Sequence, residues 1–238
     1  MNVAIIFAGG SGMRMGAGIP KQFLEIRGKS VLAWTLEIFQ THAEIDAIVL
    51  VANNEFSDRT WSIVKDCKID KVSTVVSGGK SAQDSIYNGL KAAAGIFPPD
   101  SVVLLHDGVR PYVSGNVISE VIDSVKRYGT GITFTPCYET IVLSSDGQRI
   151  DSIPERSESF TAQAPQGFRL CDILAAHERV RALPERYKGL VDQATLYWKL
   201  GLDIHLVPGN RGNIKITTPE DLCTLRALLE WEEHERAF

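Results

Sequence analysis

Short apolar runs rich in Val and Ile recur along the chain and alternate with longer stretches of helical period. The runs lie at Val3–Phe7, Ala47–Val51, Val72–Val76, Val102–His106 and Gly131–Phe134. Between them, apolar residues spaced three and four apart predict helices at Ser30–Thr41, Phe56–Lys65, Ser81–Ala94 and Gly115–Tyr128. Strands buried on both faces read as continuous apolar runs, and strands alternating with helices read as βα repeats on a mostly parallel sheet. The expected fold is α/β, Rossmann-like, with helices on both faces of the sheet. Ligands of such sheets bind at the carboxyl ends of the strands.

The rhythm breaks from about Thr135 to Glu158. "ETIVLSSDGQRIDSIPE" carries two short β-type runs around the turn signal Asp146-Gly147, which reads as an inserted hairpin. It is either a surface excursion or an arm that embraces a second subunit. Beyond it the pattern predicts helices at Cys171–Arg181 and Val191–Leu200, strands at Ile204–Val207 and Ile214–Thr217, and a closing helix from Pro219. With no repeats or low-complexity tracts, the expectation is one domain over 1–238, with 136–158 as its arm.

Composition narrows the function. The 238 residues are 44% hydrophobic and 23% charged, with a formal net charge of −4. That balance argues against nucleic acid or an anionic membrane as the main partner, so cations that meet an anionic ligand must be local. No apolar stretch of about 18 residues exists for a spanning helix. Cys67, Cys137, Cys171 and Cys223 lie far apart, and the reading is reduced thiols in a cytoplasmic protein.

The first apolar run breaks into "FAGGSGMRMGAGIPK". Glycines let backbone N–H groups approach a ligand closely, and a loop of such groups after a strand binds anions. The dinucleotide pattern G-x-G-x-x-G fails because Met15 stands where its third glycine belongs, and "GGKS" at Gly78–Ser81 lacks the first glycine of a P-loop. What remains is a glycine loop with Arg14 and, seven positions on, Lys21. A backbone cradle with one guanidinium and one ammonium suits a triphosphate. The bland alternative is a glycine-rich turn with two solvated cations.

"LLHDGVRP" places Asp107 and Arg110 just past another strand, where a carboxylate can hold Mg²⁺ and an arginine can meet a second phosphate. Helix capping and a surface ion pair are the alternatives. "SGGKSAQDSI" offers Gly78 and Gly79 amides with Ser81 and Ser85 hydroxyls, either to read a base edge or to cap a helix. "GNIKITTPEDL" puts Lys215 on an otherwise apolar run before a helix with Thr218 as cap and Pro219 at its first position.

Taken together and in order, "AGGSGMRMGAGIPKQFLEI", "HDGVRP", "APQGF" and "NIKITTPEDL" resemble the motifs of cytidylyltransferases of the methylerythritol-phosphate and ribitol-phosphate type, over residues 3 to about 225. The resemblance implies transfer of CMP from CTP to a polyol phosphate with release of pyrophosphate. It implies that Ala8, Gly9, Gly10, Gly12 and Arg14 cradle the CTP phosphates. Lys21 and Lys215 would stabilise the reacting α-phosphate, Asp107 would hold Mg²⁺, and Gly79 and Ser85 would read the nucleoside. Arg110, Lys215, Thr140 and Arg156 would meet the polyol phosphate, the last two from the neighbouring subunit of a homodimer. Ala82, the Arg211-Gly212 pair before Asn213, and Glu139 depart from the pattern of some relatives. "FAGGSGMRMG" and the Val of "HDGVRP" are closer to the ribitol-phosphate branch. A non-catalytic nucleotide-binding module is the alternative of a different class.

Overall fold

The computed structural model describes residues 1–10 and 19–236. Its centre is a sheet that contains, among the described residues, seven strands in the order β5-β4-β1-β6-β8-β7-β9. These are β1 (Asn2–Ala8), β4 (Ala47–Ala52), β5 (Val72–Ser77), β6 (Val102–Asp107), β7 (Thr130–Pro136), β8 (Phe160–Arg169) and β9 (Leu206–Pro208). A small antiparallel pair, β2 (Glu25–Ile26) and β3 (Lys29–Ser30), stands apart. Strand β1 pairs in parallel with β4 and β6, and β4 with β5. Only β8, among the described strands, runs against the large sheet, antiparallel to both β6 and β7.

Alternation along each central strand feeds two separate cores. From β1, Ala4 and Ile6 pack with Ile48, Leu50 and Leu104 beneath α1 (Val31–Thr41) and α4 (Gly115–Tyr128), supplied by Leu32, Leu36, Phe39, Val117 and Val121. Val3 and Ile5 face the other way with Val49, Val51 and Val103. They meet Leu90 of α3 (Ala82–Ala94), Ile173 and Val180 of α5 (Leu170–Arg181), and Leu196 of α6 (Gln193–Lys199). Helix α2 (Ser57–Asp66) joins the first layer through Val64, and α7 (Pro219–Arg236) closes a third cluster through Leu225 and Leu229 against Ile216 and Val109.

Local signals set the helix starts. Ser30, Ser81, Ser114 and Asp192 cap α1, α3, α4 and α6 by accepting from the backbone N–H three residues on. At α7 the cap is completed from inside, since Asp221 accepts from the N–H groups of Thr217 and Thr218.

Three expectations need correction. Ile214–Thr217 forms no strand; the Ile216 N–H donates to the Val109 carbonyl, and no ladder follows. The strand expected at Ile204–Val207 begins at Leu206. The two β-runs expected around Asp146-Gly147 shrink to one antiparallel bridge, Leu143 with Ser152, although Gly147 does turn the chain at φ 70°. Strand β8 is an addition to the predicted set.

The chain winds from β1 to β4 and β5 on one side and then returns to place β6 on the other side of β1. Such a reversal opens a crevice outside the carboxyl ends of the strands. Gly9 follows β1 and Asp107 ends β6, so the two motifs meet there.

Candidate active site

A cleft of about 600 Å³ opens at this point, lined on one side by Ala8, Gly9, Gly10 and Lys21, and on the other by Gly79, Lys80, Ser81 and Ser85. Asp107, Arg110 and Lys215 form its charged end, and Gln163, Gln166 and the Val191–Gln193 segment complete the wall.

The charged end is built on one tight turn. Gly108 donates its N–H to the Phe7 carbonyl, and Arg110 donates to the Asp107 carbonyl. A side chain at Gly108 would sit 3.0 Å from that Phe7 oxygen and 3.1 Å from Leu32, so the tight turn against β1 favours glycine. His106, buried beneath, stands 3.1 Å from the Arg110 carbonyl through Nε2, which must therefore carry the proton. Burial pushes the His106 pKa down to about 4, so the ring is neutral near pH 7.

Asp107 joins two cations. Lys215 Nζ donates to Oδ1 at 2.7 Å and Arg110 Nε to Oδ2 at 2.9 Å. Burial works against the charged carboxylate, but Lys215 and Arg110 outweigh it and hold the Asp107 pKa at about 2. Arg110 is itself fixed by an Nη1 bond of 2.8 Å to the Asn213 carbonyl, and Asn213 by a 2.6 Å bond to the Ala164 carbonyl. Lys215 lies between Ile214 and Ile216, which pack in the third core cluster. The alternation that looked like a strand thus turns the ammonium into the cleft.

Among the described residues no three His, Cys, Asp or Glu side chains gather as a metal cage. Asp107 alone fits a Mg²⁺ ion that takes most of its ligands from phosphates and water, since each carboxylate oxygen keeps a lone pair beyond the one Lys215 or Arg110 uses.

The opposite wall is equally built. A Cβ on Gly79 would lie 2.4 Å from Asp84 Cβ, so the loop can fold onto its helix only with glycine there. Ser85 Oγ accepts from the Gly79 N–H at 2.9 Å and donates to the Ser81 carbonyl at 2.9 Å. Its hydroxyl proton is used in shaping the loop. Asp84 is tied to Arg181 at 2.8 Å, and that guanidinium lies over Tyr87, 4.2 Å from the ring centroid.

Of the sequence-predicted site residues, Ala8, Gly9, Gly10, Lys21, Gly79, Ser85, Asp107, Arg110 and Lys215 meet in this one cleft. Gly12 and Arg14 lie outside the described residues. Thr140 and Arg156 do not line the cleft of their own chain; both are exposed on the segment between β7 and β8. The sequence reading passed over Gln22, Gln166 and Asp192. Gln22 adjoins the Pro-Lys pair, and Asp192 precedes a short helix as a capping aspartate does, but neither signal distinguishes a cleft residue from a structural one.

Comparison with known proteins agrees with this geometry. The family model for 2-C-methyl-D-erythritol 4-phosphate cytidylyltransferase (IspD) matches residues 2–231. A ribitol-5-phosphate cytidylyltransferase of Streptococcus agalactiae is 41% identical over the whole chain and 99% of its own length. A 2-C-methyl-D-erythritol 4-phosphate cytidylyltransferase of Clostridium botulinum is 40% identical over 96% of this chain and 97% of its own. The crystal structure of a 4-diphosphocytidyl-2C-methyl-D-erythritol synthase from Anaerococcus prevotii superimposes with a TM-score of 0.82 at 31% identity, covering 97% of this chain and 96% of that one. The fold, the cleft at the β1–β6 crevice and these likenesses place the chain in the IspD family of CTP-dependent cytidylyltransferases.

Proposed function

We propose that this enzyme transfers CMP from CTP to D-ribitol 5-phosphate. The observation that carries the transfer chemistry is the meeting of Lys21, Lys215, Asp107 and Arg110 beside the glycine-lined wall. The acceptor rests on the likeness to ribitol-5-phosphate cytidylyltransferases at 41% identity over the full chain, and on Val109 in the cleft wall. The second reading, 2-C-methyl-D-erythritol 4-phosphate as acceptor, is favoured by the family model and the Clostridium relatives.

In the proposed reaction the glycine loop, with Gly9, Gly10, Gly12 and Arg14, receives the triphosphate, while the loop at Gly79 and Ser85 receives the nucleoside. An oxygen of the acceptor's phosphate attacks the α-phosphorus. The bond from that phosphorus to the bridging oxygen breaks, and the electron pair leaves with pyrophosphate. The attacking oxygen is already anionic, so no general base is required. Lys21 and Lys215 offset the charge that gathers on the α-phosphate, and Asp107 keeps Lys215 oriented. When bound at Asp107, Mg²⁺ would offset charge on the phosphate oxygens. Positioning of two reactants contributes up to about 7–11 kcal/mol to such a step.

The segment 136–158 is the proposed arm of a one-domain, cytoplasmic homodimer, bringing Thr140 and Arg156 to the partner's acceptor site. Exposed Val142, Leu143, Ile150 and Ile153, each about half or more accessible, support a partner surface there. Pyrophosphate release with CTP and Mg²⁺, run in parallel on the two polyol phosphates, tests the reading.

A further inference from the structure

Gln22 is almost fully buried, at 1% exposure, yet it lines the cleft next to Lys21. Its Nε2 donates to the Ala8 carbonyl at 2.7 Å and to the Gly10 carbonyl at 3.1 Å. Both partners are carbonyl oxygens, so the NH₂ end of the amide is the end that faces them. One side chain thus spends both of its N–H donors on the rim of the glycine wall.

That use has an electrostatic consequence. An anion site made of backbone needs its N–H groups available and its carbonyl oxygens turned elsewhere or neutralised. Ala8 and Gly10 contribute two carbonyl oxygens to the rim, and both are occupied by the Gln22 amide. A trans peptide carries its N–H opposite its C=O, so holding the Ala8 oxygen towards Gln22 turns the Gly9 N–H away from it. Glycines lack the side chains that would fix these planes otherwise.

We propose that Gln22 is a positioning residue for the triphosphate: its buried amide holds the Ala8 and Gly10 carbonyl oxygens, so that the wall turns the Gly9 N–H, and not those two oxygens, to the phosphates of CTP. The inference rests on the reading that CTP phosphates lie at this wall. It is separable from Lys21, because the turn Lys21–Phe23 is held by Phe23 N–H to Pro20 and Leu24 N–H to Lys21 backbone bonds, with Phe23 buried in the core.

The test uses Gln22→Met, which keeps length and volume without donors, and Gln22→Glu, which places acceptors against acceptors. Binding of CTP and of cytidine is measured by calorimetry on the wild type and both variants, with steady-state kinetics and melting temperatures alongside. The expected result is at least a tenfold loss of CTP affinity, a raised KM for CTP with lowered kcat, and cytidine affinity and acceptor KM within about twofold of wild type. Unchanged CTP binding in Gln22→Met, or an equal loss of cytidine and CTP affinity, would overturn the inference. Wild-type protein that binds cytidine but gains nothing from the triphosphate would instead overturn the underlying reading.

Discussion

Lysines 21 and 215 converge on one cleft from opposite ends of the sequence, and the proposed chemistry rests on this convergence. Removing a preorganised charge-stabilising donor typically costs about 10²–10³ in rate. Lys21→Ala and Lys215→Ala are each expected to lower kcat by about that much, measured by pyrophosphate release, and Lys215→Ala also to lower the melting temperature because Asp107 loses a partner. Asp107→Asn is expected to be comparably damaging, because the amide carries no charge and keeps an acceptor oxygen for only one of Lys215 and Arg110, turning an NH₂ donor towards the other. At this scale the sequence was informative where a residue type was unusual for its place. A lysine between two core isoleucines and an Asp-x-x-Arg at a strand end both marked the cleft. Gln22 was not legible, since an amide that binds two carbonyls 12 and 14 residues away leaves no local pattern.

At the level of elements, the loop before α3 shows how closely backbone and function are coupled. Gly79→Ala drives a Cβ to within 2.4 Å of the Asp84 Cβ, backbone-proximal atoms that cannot swing away. Overpacking of this kind costs about 1–3 kcal/mol, or roughly five- to 150-fold in an affinity that depends on the loop. The expectation is that CTP affinity falls by that factor, read by calorimetry.

A second element-level device is the buried chain that links α5, α6 and α3. Tyr187 O–H donates to His177 Nδ1, His177 Nε2–H to Gln193, Gln193 to Gln83, and Gln83 to the Leu190 carbonyl. The amide at Gln193 fixes the direction of every bond in that chain. Burial lowers the His177 pKa to about 4, against about 6.5 in an unfolded chain. The unfolded state therefore binds the extra proton first as pH falls, so stability is full above pH 6.5 and declines towards pH 4. Linkage puts the loss at up to about 3 kcal/mol for this group. Denaturant titrations between pH 7 and 4 are expected to show a shallower decline in His177→Gln than in wild type.

Element positions were legible wherever apolar period and caps agreed. The five runs and four helices up to Phe134 fall on β1, β4 to β7 and α1 to α4. Strand β8 was not, because "FTAQAPQGFR" alternates poorly. Its first three residues are exposed, Pro165 and Gly167 interrupt it, and its burial comes from neighbours distant in sequence. The glycine there is a packing requirement, since a Cβ would lie 2.5 Å from Val121 and 2.8 Å from Val125. Conversely, Ile-Lys-Ile at 214–216 alternates as a strand does, and the side chains do alternate between core and cleft without any ladder.

For the whole molecule, the exposed apolar residues of 136–158 are a surface feature one chain leaves unexplained. As a dimer arm, the segment predicts that the double substitution Ile150→Asp with Ile153→Asp yields monomers by sedimentation. Turnover with the acceptor is then expected to fall by at least tenfold while CTP binding persists, because Thr140 and Arg156 no longer reach a partner's cleft. Unchanged sedimentation would remove the arm from the dimer interface. The hairpin's turn was legible from Asp146-Gly147. Its lack of paired strands was not, since two apolar runs need a covering surface before they settle into a ladder.

One assay bears on the proposed transfer of CMP from CTP to ribitol 5-phosphate. Pyrophosphate release is followed with CTP and Mg²⁺ on ribitol 5-phosphate and on 2-C-methyl-D-erythritol 4-phosphate, each at matched concentrations. Rapid release with ribitol 5-phosphate and little with the other is the predicted result. Rapid release with only 2-C-methyl-D-erythritol 4-phosphate would contradict the acceptor assignment, and no release with either would contradict the assignment of this cleft to cytidylyl transfer onto these polyol phosphates.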